Sequence, residues 1–217
     1  VIVPLLNYLG IKKIDYGIIS HIDTDHIGGF VELVLQGMIA EVFKPEIDTS
    51  LSKDKRFEKF IRGRGIPVSY YKEEKMEVGN TAIYFLYDEE IKIISGESTN
   101  NRSSVIKIIY GETSFLFTGD IEKDVEKFYA DRYMYFLDSD VLKVGHHGSK
   151  TSSSNEFVKY VSPELSLISA GFKNKFGHPV EDVIQRLEAE GSTVYRTDMN
   201  KAVILRSDGQ DIKLINW

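Results

Sequence analysis

Residues 20–29 read Ser20-His21-Ile22-Asp23-Thr24-Asp25-His26-Ile27-Gly28-Gly29 and follow directly on the apolar run at 14–19. Four side chains able to ligate a metal thus fall within six positions at the end of a buried strand. In extended chain, residues i and i+2 project to one side, so His21 and Asp23 can share one ion. Asp25 and His26 follow as the chain turns and suit a second. Gly28 and Gly29 then permit a tight bend into a helix expected over 27–35. The plain alternative is a solvated polar loop that caps this helix, but two His and two Asp at the mouth of a buried strand exceed what capping needs.

Two further segments repeat the arrangement. Phe115-Leu116-Phe117-Thr118-Gly119-Asp120 is an apolar strand that ends in one carboxylate; taken alone, Asp120 reads as the N-cap of a helix starting near Ile121. Val144-Gly145-His146-His147-Gly148-Ser149-Lys150 ends a third apolar strand with adjacent imidazoles between glycines. If these strands are neighbours, ligands from three distant segments converge on one rim, where open α/β sheets bind their ligands.

Around these segments the pattern alternates strands and helices, as in a layered α/β protein. A helix ends near Gly10, and another is expected over 53–64, with Phe57, Phe60 and Ile61 at helical spacing. Strands are expected at 14–20, 66–71, 81–87, 105–110, 114–118, 140–145 and 165–169, with a loop at 88–104. Helices are expected at 121–130 and 155–161. The clearest helix is 179–190, with Pro179 at its first position, Glu181 and Asp182 in its first turn and Gly191 after it. Strands at 192–196, 201–206 and 211–215 close the chain, the last two as a hairpin around Asp208-Gly209.

The 217 residues suit one domain spanning 1–217, and 42% apolar with 28% charged residues excludes disorder as the main state. Cysteine is absent, which removes disulfides, thiolate metal sites and Cys nucleophiles. No apolar run reaches the ~18 residues needed to span a bilayer, so a soluble domain without stable membrane insertion is expected. A net charge of −6 argues against a passive nucleic-acid coat, yet leaves room for an enzyme on phosphodiesters whose ions supply the positive charge.

Taken together the motifs resemble the metallo-β-lactamase fold superfamily, and within it the hydrolase domain of ComEC-type DNA-uptake proteins. They are Ser20-His21-x-Asp23-x-Asp25-His26-x-Gly28-Gly29, Asn100-Asn101-x-Ser103, Thr118-Gly119-Asp120, Leu142-Lys143-x-Gly145-His146-His147-Gly148-Ser149 and Gly177-His178-Pro179. The resemblance runs from about residue 4 to about residue 206. It implies a four-layer αββα sandwich with two divalent metal ions, Zn or Mn, on one edge. His21 and Asp23 would hold the first ion, Asp25 and His26 the second; Asp120 would bridge them and His147 would complete the second site. Two departures stand out. Most relatives have His where Asp23 stands, and the harder oxygen donor favours Mn²⁺. Another usual His is replaced by Asn100, a weak ligand. Relatives also open with a hairpin carrying a turn near the metals, so N-terminal strands are expected to lie outside this chain, a fragment of a longer membrane protein. A stand-alone cytoplasmic hydrolase is the alternative.

The reaction implied is phosphodiester hydrolysis, most naturally of single-stranded DNA, by a water sharpened between the ions, with Asp25 taking up its proton in passing. His178, read as the N-cap of the 179–190 helix, would bind phosphate or protonate the leaving group. Asn100, His146, Ser149, Lys150 and Ser152 would contact the substrate. The basic stretch at Lys53, Lys55, Arg56, Lys59, Arg62 and Arg64 is an ordinary surface helix or a polynucleotide contact, and Tyr70, Tyr71, Tyr84 and Tyr87 read as strand packing. Two alternatives remain at this stage. One is a small-molecule metallohydrolase of the phosphocholine esterase or lactonase kind. The other is a non-catalytic DNA-guiding module with a degenerate metal site.

Overall fold

The computed structural model describes residues 2–46, 52–96 and 98–215. These fall into two compact units, Val1–Lys72 and Glu73–Trp217.

The first unit runs α1 (Ile2–Tyr8), β1 (Ile14–Ile18), α2 (Thr24–Leu35), β2 (Ile39–Pro45), α3 (Ser52–Arg62) and β3 (Val68–Tyr71). Its strands form a parallel sheet in the order β1-β2-β3, with Ile14 opposite Ile39 and Val42 opposite Val68. Parallel neighbours need crossover connections, which α2 and α3 provide. The core of the unit gathers Ile19, Leu33, Val34, Ile39, Val42, Phe57 and Ile61. Strand β2 was not expected from sequence because Lys44 and Pro45 interrupt its apolar run. Lys44 is nonetheless buried, its ammonium 2.8 Å from Asp54 and 3.6 Å from Glu58 on α3. The helix after the motif starts at Thr24 rather than Ile27, so Gly28 and Gly29 lie inside α2 and not at a bend. Gly29 has a packing reason instead: a Cβ there would come within 2.6 Å of Ile2 Cδ1 on α1.

The second unit runs β4 (Glu74–Val78), β5 (Thr81–Leu86), α4 (Glu90–Ser95), β6 (Val105–Tyr110), β7 (Thr113–Phe117), α5 (Lys123–Tyr133), β8 (Val141–Lys143), α6 (Asn155–Val161), β9 (Leu165–Ile168), α7 (Glu181–Ala189), β10 (Thr193–Arg196), α8 (Thr197–Asn200), β11 (Ile204–Ser207) and β12 (Ile212–Ile215). Seven strands pair in the order β10-β9-β8-β7-β6-β5-β4, and β11-β12 form the expected hairpin. From β7 to β10 the strands are parallel; from β4 to β7 they alternate. The carboxyl ends of β7, β8 and β9 therefore share one edge, which is where Asp120, the His146-His147 pair and Ser169 follow. Leu116, Val125, Tyr129, Leu142, Phe157, Val183 and Leu187 belong to the core of this unit.

Three expectations change here. The segment 88–104 carries α4 and a 3-10 turn at Asn100–Arg102 in place of a plain loop; residue 97 lies outside the described residues. Helix α7 starts at Glu181 with Val180 in the capping position, so Pro179 is not its first residue and His178 is not its N-cap. The reason is a contact from remote chain: the N–H of Val180 donates to the Gly148 carbonyl at 3.0 Å, which keeps this stretch extended against the His-His turn. Finally, β1 belongs to a different sheet from β7 and β8, so the three apolar strands are not all neighbours. Among the described residues no helix is long and apolar enough to cross a membrane.

Candidate functional site

In the first unit the donors cluster where β1 hands over to α2. His21 is 1% exposed; its Nδ1 lies 3.1 Å from Ser20 Oγ and its Nε2 3.9 Å from Asp23 Oδ2. The His21 and His26 rings are 4.0 Å apart, centroid to centroid. Asp23 occupies the N-cap position, yet its carboxylate makes no capping bond and accepts instead from Lys53 Nζ at 3.1 Å. Capping is therefore not what holds it. Asp25 and His26 sit in the first helical turn, Nε2 to Oδ2 4.0 Å, and the Asp25 side chain is 62% exposed.

In the second unit the two histidines are set by backbone, and Asp120 by a buried hydroxyl. Asp120 is 4% exposed and its N–H donates to Ser103 Oγ at 3.0 Å. Helix α5 is capped at Glu122, so the N-cap reading of Asp120 fails. His146 and His147 both adopt left-handed backbone, φ 46° and 54°, a conformation non-glycine residues keep only when their surroundings impose it. The surroundings do so. The His146 N–H donates to the Gly119 carbonyl (3.2 Å), and Gly148, at φ +79°, has no room for a side chain, since a Cβ would stand 2.5 Å from that of Pro179. His147 Nδ1 lies 2.8 Å from the Ser169 carbonyl, which can only accept. Nδ1 therefore carries a proton, and Nε2 faces Asp120 Oδ2 at 3.7 Å. An imidazole oriented through its far nitrogen by a carbonyl is the usual arrangement of a metal-ligating histidine. The donor set fits a divalent ion.

Beside it lies a connected polar group. Asn100 Nδ2 is 3.2 Å from His146 Nε2, and His146 Nδ1 is 3.5 Å from both Thr151 Oγ1 and Glu122 Oε1. Thr151 Oγ1 donates to Glu122 at 2.7 Å and lies 3.0 Å from Ser149 Oγ. Glu122 was missed in the sequence, where only its place two residues after Asp120 could have signalled it. Lys150 is exposed. Ser152 differs from the other expected substrate contacts: it is fully buried, and its hydroxyl serves the Gly145 and Ser149 carbonyls, fixing the loop. Buried Glu126 accepts the N–H groups of Ser153 and Ser154, holding the same loop from α5.

Burial is the main reason the His178 imidazole titrates below its ordinary range, and the charges of His146 and His147 add to it. Its Nδ1 is buried with no hydrogen-bond partner among the described residues. Burial likewise lowers the Lys143 ammonium against the opposing pull of Asp120, and its Nζ donates to the Val144 carbonyl at 3.0 Å.

The family profile of the metallo-β-lactamase superfamily matches residues 3–171, a stretch that takes in both donor groups. The chain is 33% identical over 211 residues to "ComE operon protein 3" of Bacillus subtilis, and 34% identical over 204 residues to "Competence protein ComA" of Neisseria gonorrhoeae. These alignments take in 95% and 93% of this chain but 26% of each relative, so the chain spans about a quarter of the length of the curated relatives it matches. Among solved structures, a diiron β-hydroxylase of Streptomyces venezuelae, CmlA, superposes over 85% of this chain and 44% of its own (TM-score 0.64, 15% identity). The metallo-β-lactamase fold protein YhfI of Bacillus subtilis does so over 90% and 79% (TM-score 0.59, 16% identity). Motif order, profile and fold agree: the chain belongs to the metallo-β-lactamase superfamily, whose members are metal-dependent hydrolases.

Proposed function

We propose that the chain is a metal-dependent phosphodiesterase that cleaves single-stranded DNA as part of a DNA-uptake protein. The observation that carries this reading is His147, protonated on Nδ1 towards Ser169 and presenting Nε2 to the buried carboxylate of Asp120. The names of the two competence relatives supply the DNA context. Two divalent ions, Zn or Mn, would be held by His21, Asp23, Asp25 and His26 from the first unit and by Asp120 and His147 from the second. When bound, such a pair lowers the pKa of a coordinated water and clamps the attacking and leaving oxygens.

The chain's own residues do the rest. Asp25, exposed at the start of α2, would take up the proton that the attacking water loses. Asn100, His146, Ser149 and Lys150 orient the phosphate, with Glu122 and Thr151 fixing the His146 ring. His178 stands by the leaving group as a hydrogen-bond donor; with α7 beginning at Glu181, its role no longer draws on a helix end. Ser152 and Glu126 keep the hydroxyl-bearing loop in place.

A second reading, a DNA-guiding module without turnover, draws on Asn100: its amide is engaged with His146 where a stronger ligand is usual. Activity panels with Mn²⁺ and Zn²⁺ on single-stranded DNA, an aryl phosphodiester and a lactone separate these readings, with Asp120→Ala as control. Cleavage of the two phosphodiesters, lost in the variant, is the expected outcome. Cleavage by Asp120→Ala at the wild-type rate overturns the catalytic reading, and lactone as the only substrate moves the chain to the small-molecule hydrolases.

A further inference from the structure

Between Glu164 and Glu181 the sequence holds no carboxylate, in a chain of net charge −6. The middle of that interval is the loop Gly171-Phe172-Lys173-Asn174-Lys175-Phe176-Gly177, which joins Ser169 and Ala170 after β9 to His178. Its two phenylalanines are among the most exposed large apolar side chains, Phe172 at 76% and Phe176 at 69%. Exposed rings usually mark a floppy segment, but this one is braced from inside. The Asn174 side-chain amide donates to the Gly171 and His178 carbonyls, and its oxygen accepts the N–H groups of Phe176 and His178 at 3.2 and 3.1 Å. Four bonds from one half-buried residue hold two aromatic rings largely out in water.

What the rings face narrows the partner. Lys173 Nζ stands 5.4 Å from the Phe172 ring, and Lys175 Nζ 4.9 Å from the Phe176 ring. The Phe176 ring lies nearly parallel to the His178 imidazole, at 6.0 Å and 16°. His178 in turn meets the His146 ring edge-on at 5.8 Å. The rings of Phe176, His178 and His146 thus lead from the exposed loop to the His146-His147 turn, and an ammonium stands beside each of the two exposed phenylalanines. Alternating π-faces and cations suit a strand whose bases are unpaired and whose phosphates run alongside, because every base can stack and every phosphate can be met.

We infer that the loop 171–177 is a single-strand platform: Phe172 and Phe176 stack bases, Lys173 and Lys175 meet the backbone, and the phosphodiester beyond Phe176 is delivered to His178 and the His-His turn. The inference rests on the polynucleotide reading above and deepens it by naming where the bases lie.

The test is the affinity of the whole chain for a short fluorescent oligothymidylate, in EDTA so that binding is read without turnover. The double substitution Phe172→Leu with Phe176→Leu keeps apolar bulk and removes the π-faces; it should weaken binding about tenfold or more, and weaken binding of a duplex far less. Lys173→Gln with Lys175→Gln should make the salt dependence of log affinity shallower by about 1.4. Wild-type affinity in the Leu pair, or equal losses on single strand and duplex, overturns the platform. So does a loss confined to anionic lipid vesicles, which would make the loop a membrane contact. Because no cleavage is required, phosphodiesters that prove inert would sink the catalytic reading while leaving this measurement intact.

Discussion

The two donor groups are built differently. On the rim of the seven-stranded sheet, backbone holds the two histidines: the Ser169 carbonyl orients His147 and the Gly119 carbonyl anchors His146, while the buried Ser103 hydroxyl accepts from the Asp120 N–H and Gly148 is packed on Pro179. On the three-stranded sheet, side chains do it: Ser20 meets His21, Lys53 meets Asp23, and Asp25 extends into solvent. Backbone partners cost no side-chain entropy at the moment of binding, whereas a lysine must be displaced or rearranged. The second unit is therefore the pre-organised half and the first the adaptable one.

The largest effect should come from breaking the rigid half. Asp120→Ala should lower turnover by at least about 10³-fold, on the scale of a lost ion clamp, with far-UV circular dichroism unchanged. Asp23→Ala should cost less, about 10²-fold or below, because Asp23 and its lysine partner are partly exposed whereas Asp120 is buried. Equal losses at the two positions would erase the distinction.

Gly148→Ala comes next. Left-handed backbone costs a residue with a Cβ about 1–2 kcal/mol, and the Pro179 contact adds to it. A destabilisation of about 2–4 kcal/mol in urea unfolding is expected. In the first unit's motif Gly28 differs from Gly148, since it has open space around its missing Cβ; Gly28→Ala should be neutral or slightly stabilising, since alanine is the better helix former by about 1 kcal/mol.

This contrast also explains what the sequence could reveal. The ligands announced themselves because each group sits just past an apolar strand, and runs such as Phe115-Leu116-Phe117 or Val141-Leu142 are local signals. The glycines were visible but misread at Gly28 and Gly29, since the helix begins at Thr24 and only the packing of Ile2 distinguishes a bend from a close approach. Pro179 was misplaced for a similar reason: proline suits a helix's first turn, but the Gly148 carbonyl, 32 residues earlier, claims the N–H of Val180. The roles of Ser169, Lys53 and Glu122 stayed hidden because their partners are remote in the chain. Strand β4, Glu74-Lys75-Met76-Glu77-Val78, has too little apolar alternation to be seen; it is an edge strand that shows mostly exposed residues.

A smaller effect tests the adaptable half from its other side. Lys53 neutralises Asp23, so Lys53→Met should raise Mn²⁺ affinity several-fold by calorimetry while moving stability by less than about 1 kcal/mol, as partly exposed ion pairs do. Unchanged or weaker Mn²⁺ binding would mean that Lys53 supports the site.

The smallest effect lies away from both donor groups and checks that the rigid unit owes its order to buried polar contacts as well as to apolar packing. The Lys107 ammonium on β6 donates to the Phe136 and Asp138 carbonyls, and burial holds its pKa below the usual lysine range while Asp138 and Asp140 pull it back up. Between that lowered value and 10.5 the unfolded chain binds the proton that the folded chain has released. Stability therefore rises with pH across this window, by the linkage between proton binding and folding. In Lys107→Met the group is gone, so the stability of the wild type relative to the variant should increase as pH climbs towards 10.5, read as the difference in urea midpoints. A difference that shrinks over the same range would mean that the two carbonyls and two carboxylates outweigh burial, and that this lysine is held charged.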